Sequence, residues 1–170
     1  MLNAVKTQGA SVRTEPELSI ANIYLDTLTM VERLHRRLLD VIKDEFDRQG
    51  RSDVNSVQAL LLFNIGDKEL TAGELRTRGY YLGSNVSYNV KKLVEIGFLH
   101  HARSRIDRRS VRISLTEKGK QVHRIVAAVY EKHARTVEQI GGIPGDELAR
   151  VNVSLLRLER YWTDQIKYRL

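Results

Sequence analysis

Residues 83–119, GSNVSYNVKKLVEIGFLHHARSRIDRRSVRISLTEKG, decide the reading of the chain. In the first half, Val86, Val90, Leu93 and Val94 stand at i, i+4, i+7 and i+8. That spacing makes one apolar stripe of a helix, and Gly97 ends it. In the second half the period changes. Val111, Ile113 and Leu115 alternate with polar residues, the rhythm of a strand with one buried face. Two strands are expected, 99–103 and 110–115, joined by the loop SRIDRR. Thr116 then offers its hydroxyl as the N-cap of a further helix. The stretch from His100 to Thr116 sets five arginines around one acid, Asp107.

Upstream, DKELTAGELRTRG (67–79) reads as a short helix with Thr71 as N-cap, Glu74 completing a capping box, and Gly79 as its end. Before it, RSDVNSVQALLLFNIG (51–66) reads as a helix capped by Asp53 or Asn55 and closed by Gly66. In the fourth helix, GSNVSYNVKKLVEIG, Ser84 is the expected cap. Residues 18–49 repeat apolar side chains in a helical rhythm from Ile20 to Phe46. A helix of that length would span ~45 Å, more than the width of a small domain. Downstream of Thr116, Val122, Ile125, Val126, Val129, His133, Val137 and Ile140 share one helical side, with His133 read as a packed core residue. GGIPGDE interrupts, Pro144 suits a helix start, and Leu148, Val151, Leu155, Leu158, Trp162 and Ile166 form a heptad-like seam.

The order implies a mainly α fold with a small β-hairpin wing: a winged helix-turn-helix lobe flanked by long N- and C-terminal helices. The expected divisions are a flexible arm at 1–17, a scaffold helix at 18–50, the DNA-binding lobe at 51–116, and C-terminal dimerisation helices at 117–170. The long helices carry apolar faces that so small a lobe cannot cover. A second copy of the chain is the expected cover.

Composition narrows the function. The 170 residues are 42% apolar and 29% charged, as in an ordinary globular protein. Without cysteine there is no disulfide framework, thiolate metal site or thiol sensor. No apolar run reaches the ~18 residues of a membrane span, and the N-terminus lacks a signal-peptide core. A cytoplasmic location without membrane partners is expected. The net charge is +7, and residues 98–124 alone hold eight Lys or Arg against two acids. Such clustering suits a polyanion rather than a mixed, solvated surface.

A helix entering the major groove must present hydrogen-bonding side chains on its first turns. With Val86 and Val90 inward, Ser84, Asn85, Ser87, Tyr88, Lys91 and Lys92 fall on the outer face. Asparagine can read adenine through two hydrogen bonds, and lysines suit phosphates. Ser84 is equally accounted for as a cap alone, and Tyr88 as packing. On the hairpin, Arg103, Arg105 and Arg108 are the candidate DNA contacts. Arginine suits a narrow minor groove because its flat guanidinium is weakly hydrated. Asp107 and Arg109 are expected to brace each other. An exposed pair is worth only ~0–1 kcal/mol, so the value of the brace would be geometric.

From ELTAGELRTRG through SLTEKGKQV the chain resembles the MarR family of bacterial transcription regulators. The resemblance rests on LTAGEL, on KKLVEIGFL, on Asp107, Arg108 and Arg109 in the wing, and on SLTEKGK after it. RGYYLGSNVSYN is similar to the LdtR-type subgroup. Gly79 departs from the family's usual Leu, and YYLG replaces a plain turn, which leaves the helix boundary near 79–84 open. The resemblance implies an obligate homodimer on a pseudo-palindromic operator in double-stranded DNA, most often a ligand-responsive repressor. It also implies a pocket for a small hydrophobic or aromatic effector. Tyr24, Thr27, Met30, Val31, Leu34, Gln58, Leu61 and Leu62 are the candidate lining, though each is as readily core.

Other chemistries find little support. The five histidines are scattered, and adjacent His100 and His101 point to opposite faces of a strand. No metal-ligand spacing, phosphate-binding glycine loop or nucleophile motif occurs, so neither enzyme, metal nor cofactor is expected. A winged-helix protein–protein adaptor that does not bind specific DNA is the alternative reading. The clustered positive charge argues against it.

Overall fold

The computed structural model describes residues 19–71, 73–75, 83–103 and 111–168. Its helices are α1 (Ile20–Arg48), α2 (Ser56–Ile65), α3 (Gly83–Glu95), α4 (Glu117–Thr136) and α5 (Gly145–Tyr168). Its strands are β1 (Leu70–Thr71), β2 (Leu99–Arg103) and β3 (Val111–Leu115). Residues 73–75 are also helical. The chain divides into two compact units, residues 1–40 and 41–170.

The described part of the first unit is the N-terminal portion of α1. Ser19 caps it, its hydroxyl accepting from the Asn22 N–H at 3.3 Å. Ile20, Ile23, Leu25, Met30 and Leu34 are all exposed there. The expected arm at 1–17 lies outside the described residues.

The second unit holds the core. Ile42 and Phe46 are its buried residues on α1. In α2, Ala59, Leu60, Leu61, Leu62 and Ile65 are all buried, so this helix is enclosed on nearly every side rather than along one stripe. It packs against α4, which contributes Val122, Val126 and Val129. Of the two expected caps for α2, Asn55 serves. Its side chain accepts from the Gln58 N–H at 2.9 Å, and the Asn55 N–H donates to Gln58 Oε1 at 3.1 Å. This reciprocal capping box satisfies two donors that a helix start would otherwise leave unpaired.

Asp53 instead receives the Arg51 guanidinium through Nε (3.2 Å) and a terminal nitrogen (2.9 Å). That hydrogen-bonded pairing holds its carboxyl below the usual 3.8. The contribution is therefore present above the unfolded pKa and lost as pH falls through the folded one.

The sheet has three strands in the order β1-β3-β2, all antiparallel. The hairpin matches the expected strands, with Leu99 opposite Leu115, His101 opposite Ile113 and Arg103 opposite Val111. The third strand is an addition to the two-stranded expectation: Leu70 and Thr71 pair with Ile113 and Arg112. Thr71 then starts the next helical turn. Its hydroxyl accepts from the Glu74 N–H at 3.1 Å, and its own N–H donates to the Glu74 carboxylate at 2.7 Å.

Two expectations are corrected. Ser84 is not the N-cap of α3, because the backbone is already helical at Gly83 and Ser84 stands within the first turn. His133 is exposed rather than packed in the core, and Ile140 beyond it is 82% exposed. α4 outruns the core, so an apolar stripe continues past the atoms that could cover it. Likewise α5 follows Pro144 as expected but has no buried residue. Leu148, Val151, Leu155 and Ile166 of its seam are exposed, while Leu158 and Trp162 are half-buried.

Two changes test this packing by urea unfolding at one fixed protein concentration. Leu62→Ala should cost about 3 kcal/mol, because Leu62 is fully enclosed. Asn55→Ala should cost about 1 kcal/mol by removing the cap. In a second test, Asp53→Asn should flatten the loss of stability between about pH 5 and pH 3 relative to the parent chain.

Candidate nucleic-acid interface

α3 is fixed from below by its apolar stripe. Val86, Val90 and Leu93 are buried, and α3 packs on β2. The opposite face is therefore exposed. Asn85, Ser87, Tyr88, Lys91 and Lys92 all lie on it, with Tyr88 exposed to 69%. Ser84 belongs to the same helix by backbone, but its side chain lies outside what the structure describes. The Asn85 carbonyl is occupied by the Asn89 amide at 2.9 Å, leaving the Asn85 side chain on the outer surface. Tyr88, Lys91, Lys92 and Glu95 border a surface recess of about 250 Å³. Glu95 thus adds an acid to this otherwise basic face.

Between α3 and the hairpin, Val86, Val90, Val94, Val111 and Ile113 wall a cavity of about 450 Å³, with Ser87, Lys91, Glu95 and His101 also lining it. The hairpin is anchored by Leu99, Ile113 and Leu115, which are buried, while Val111 is half-buried. His100 and His101 are both exposed. Arg103 ends β2, and its side chain is not described. Arg105, Asp107, Arg108 and Arg109 lie outside the described residues, so the expected wing contacts and brace rest on sequence alone.

A joint fixes where α3 ends and α4 begins. Gly97 takes φ +80°, a conformation that side-chain-bearing residues rarely adopt, and so reverses the chain after α3. The Phe98 N–H donates back to the Leu93 carbonyl at 2.8 Å. Thr116 caps α4, its hydroxyl accepting from the Gly119 N–H at 3.1 Å while donating to the Gly97 carbonyl at 2.7 Å. The Thr116 N–H reaches the Phe98 carbonyl at 3.1 Å. Gly119 lies so near that any Cβ on it would sit 2.3 Å from that oxygen. The Lys118 ammonium donates to the Ile96 carbonyl at 3.2 Å and lies 4.1 Å from the centre of the Phe98 ring.

Of the basic residues here, Lys120 is paired with Glu117 at 2.8 Å. That hydrogen-bonded pair lowers the Glu117 pKa and raises that of Lys120.

Gln58, Leu61 and Leu62, expected as pocket lining, are all buried in α2, and the Gln58 side chain is engaged in the capping box. Thr27 on α1 donates its hydroxyl to the Ile23 carbonyl at 2.8 Å. Tyr24, Met30 and Leu34 are exposed, and Val31 is half-buried. Among the described residues no cluster of His, Asp or Glu could hold a metal ion. No described helix is long and apolar enough to cross a membrane.

Residues 54–119 match the model of a winged helix DNA-binding domain. The chain is 33% identical over 145 residues to the exopolysaccharide II synthesis transcriptional activator ExpG of Rhizobium meliloti (strain 1021). That match covers 85% of this chain and 74% of the relative. Among solved structures it is similar to AbsC, a MarR family transcriptional regulator from Streptomyces coelicolor, with TM-score 0.66 and 17% identity. That similarity covers 89% of this chain and 100% of AbsC. It is also similar to Streptococcus pneumoniae FabT in complex with DNA, with TM-score 0.63 and 21% identity over 83% of this chain and 98% of FabT. The proteins it matches are regulators rather than enzymes, and their fold is the one built here around α3 and its hairpin. The chain belongs to the MarR family of winged helix-turn-helix, DNA-binding transcription regulators.

Proposed function

We propose that the protein works as a cytoplasmic homodimer on a pseudo-palindromic operator, with α3 in the major groove and the arginine-rich wing in the minor groove. One observation carries this reading. The exposed face of α3 gathers Asn85, Ser87, Tyr88, Lys91 and Lys92 directly opposite the buried Val86, Val90 and Leu93. Helix orientation and chemistry thus agree on which side meets DNA. Arg103, Arg105 and Arg108 are the proposed wing contacts, with Asp107 and Arg109 bracing the tip. The dimer is supported by the exposed apolar row on α5, which a second copy would cover.

The sign of regulation follows from where the operator lies. A dimer over a promoter blocks polymerase, which is the repressor reading. A site upstream of the promoter serves activation, the activity named for the Rhizobium relative. Effector response is proposed along the α1 residues Tyr24, Thr27, Met30, Val31 and Leu34, whose apolar side chains are not enclosed in the core. A melting-temperature screen against small aromatic acids and neutral aromatics tests it, and a flat response across the panel rejects it.

Selection of bound duplexes from a random pool should return a palindrome with half-sites about one helical turn apart. On that operator, Asn85→Ala should cost about 1–3 kcal/mol and relax preference at one base position. Lys91→Met should weaken binding to all sequences alike and reduce the slope of log affinity against log salt by about 0.9. Replacing Arg108 and Arg109 together by Ala should weaken binding more than about ten-fold. Unchanged affinity in that double variant would remove the wing from the interface. For the dimer, Leu155→Glu should shift sedimentation from two chains toward one.

A further inference from the structure

We propose that Lys118 is a positioning residue for DNA recognition and not a phosphate contact. It locks the exit of α3 to the first turn of α4, and so sets the angle at which α3 is presented. The proposal rests on the reading of α3 as the groove helix.

By sequence alone Lys118 is one of the eight basic residues of the segment 98–124. Its surroundings give it another use. Although Lys118 is exposed, its ammonium rests on the Ile96 carbonyl and the face of the Phe98 ring, at 3.2 Å and 4.1 Å. Phe98 is fully buried, so the ring offers a fixed platform. The Ile96 carbonyl is at the C-terminal end of α3, where helix carbonyls lack helical partners and the helix dipole favours a cation. Lys118 therefore answers the end of α3 from the first turn of a different helix. The neighbouring bonds bear on the same few atoms: Thr116 holds the Gly97 carbonyl and the Phe98 carbonyl, and Gly119 approaches the latter too closely for any side chain.

Thr116 and Gly119 hold the Gly97–Phe98 segment against the start of α4, and the buried Val86, Val90 and Leu93 hold the inner face of α3. The bond from Lys118 to the Ile96 carbonyl, immediately after the last residue of α3, adds a tie at the helix exit itself. The helix N-terminus that reads bases is ~18 Å from the exit, at 1.5 Å per residue over α3. A small change of angle at the joint is therefore magnified at the base edges. The same leverage makes the joint a route by which a shift of α4 would reach the DNA face.

The test uses the full-length dimer and an operator duplex selected with the unaltered protein. Lys118→Met should bind that duplex about five-fold more weakly at fixed salt, the scale set by one exposed cation–π contact and one hydrogen bond. Its slope of log affinity against log salt should equal that of the unaltered protein, because no phosphate contact is lost. Lys118→Arg, which keeps both a donor and a ring contact, should restore binding. The chain has no cysteine, so spin labels can be placed at Lys92→Cys and Glu131→Cys, on the exposed faces of α3 and α4. In labelled chains diluted with unlabelled ones and free of DNA, Lys118→Met should broaden the distance distribution, and Lys118→Arg should not.

A slope reduced by about 0.9 in Lys118→Met would make Lys118 a phosphate contact and overturn the proposal. Unchanged affinity with an unchanged distance distribution would overturn it as well. Failure of Lys91→Met to change the slope would count against the groove assignment of α3 itself, while the label distances would still judge the joint.

Discussion

The close approach of Gly119 to the Phe98 carbonyl is the constraint on which the rest of the lobe depends. A Cβ on Gly119 would lie 2.3 Å from that oxygen, so no side chain is accommodated there. Three elements meet there. α3 ends two residues before Gly97, β2 begins one residue after Phe98, and α4 starts immediately after the Thr116 that caps it. Thr116 satisfies the Gly97 and Phe98 carbonyls and the Gly119 N–H together, so the polar backbone of a tight crossing is paired internally. With that crossing set, β2 begins directly after the exit of α3 and packs beside it.

Much of this was legible where local chemistry and packing agree. The stripe Val86, Val90 and Leu93, the strand rhythm of Val111, Ile113 and Leu115, and the caps at Asn55 and Thr116 each follow from side-chain periodicity or from a single hydrogen bond. The failures have physical causes. β1 is two residues long, too short to show a period, and exists because β3 offers it an edge. Ser84 was read as a cap from its residue type, whereas the position of a helix start also depends on the turn before it. His133 shares a helical side with buried valines, but periodicity gives direction and not depth. The capping box of Asn55 with Gln58 also went unread, although the two stand at the three-residue separation it needs. The outward set on α3 was legible because a buried stripe defines its own opposite. The role of Lys118 was not, because charge in a sequence gives no sign of where the charge points.

The positive surplus also divides once the partners are known. Lys120 is balanced by Glu117, and Lys118 faces a carbonyl and a ring. Glu95 sets an acid beside Lys91 and Lys92 at the end of the exposed face of α3. A local negative charge there opposes phosphate contact at the helix C-terminal end and favours it toward the N-terminal end, where the base-reading side chains stand.

The order of the sheet has a further consequence for how the protein behaves among copies of itself. β3 is the central strand, and β1 and β2 are the two edges of the sheet. An open strand edge is a template for unwanted pairing with another chain, and short strands bearing polar side chains blunt it. β2 is five residues long and presents His100 and His101 to solvent. With edge strands of two and five residues, neither edge of the sheet is well suited to pairing with another copy.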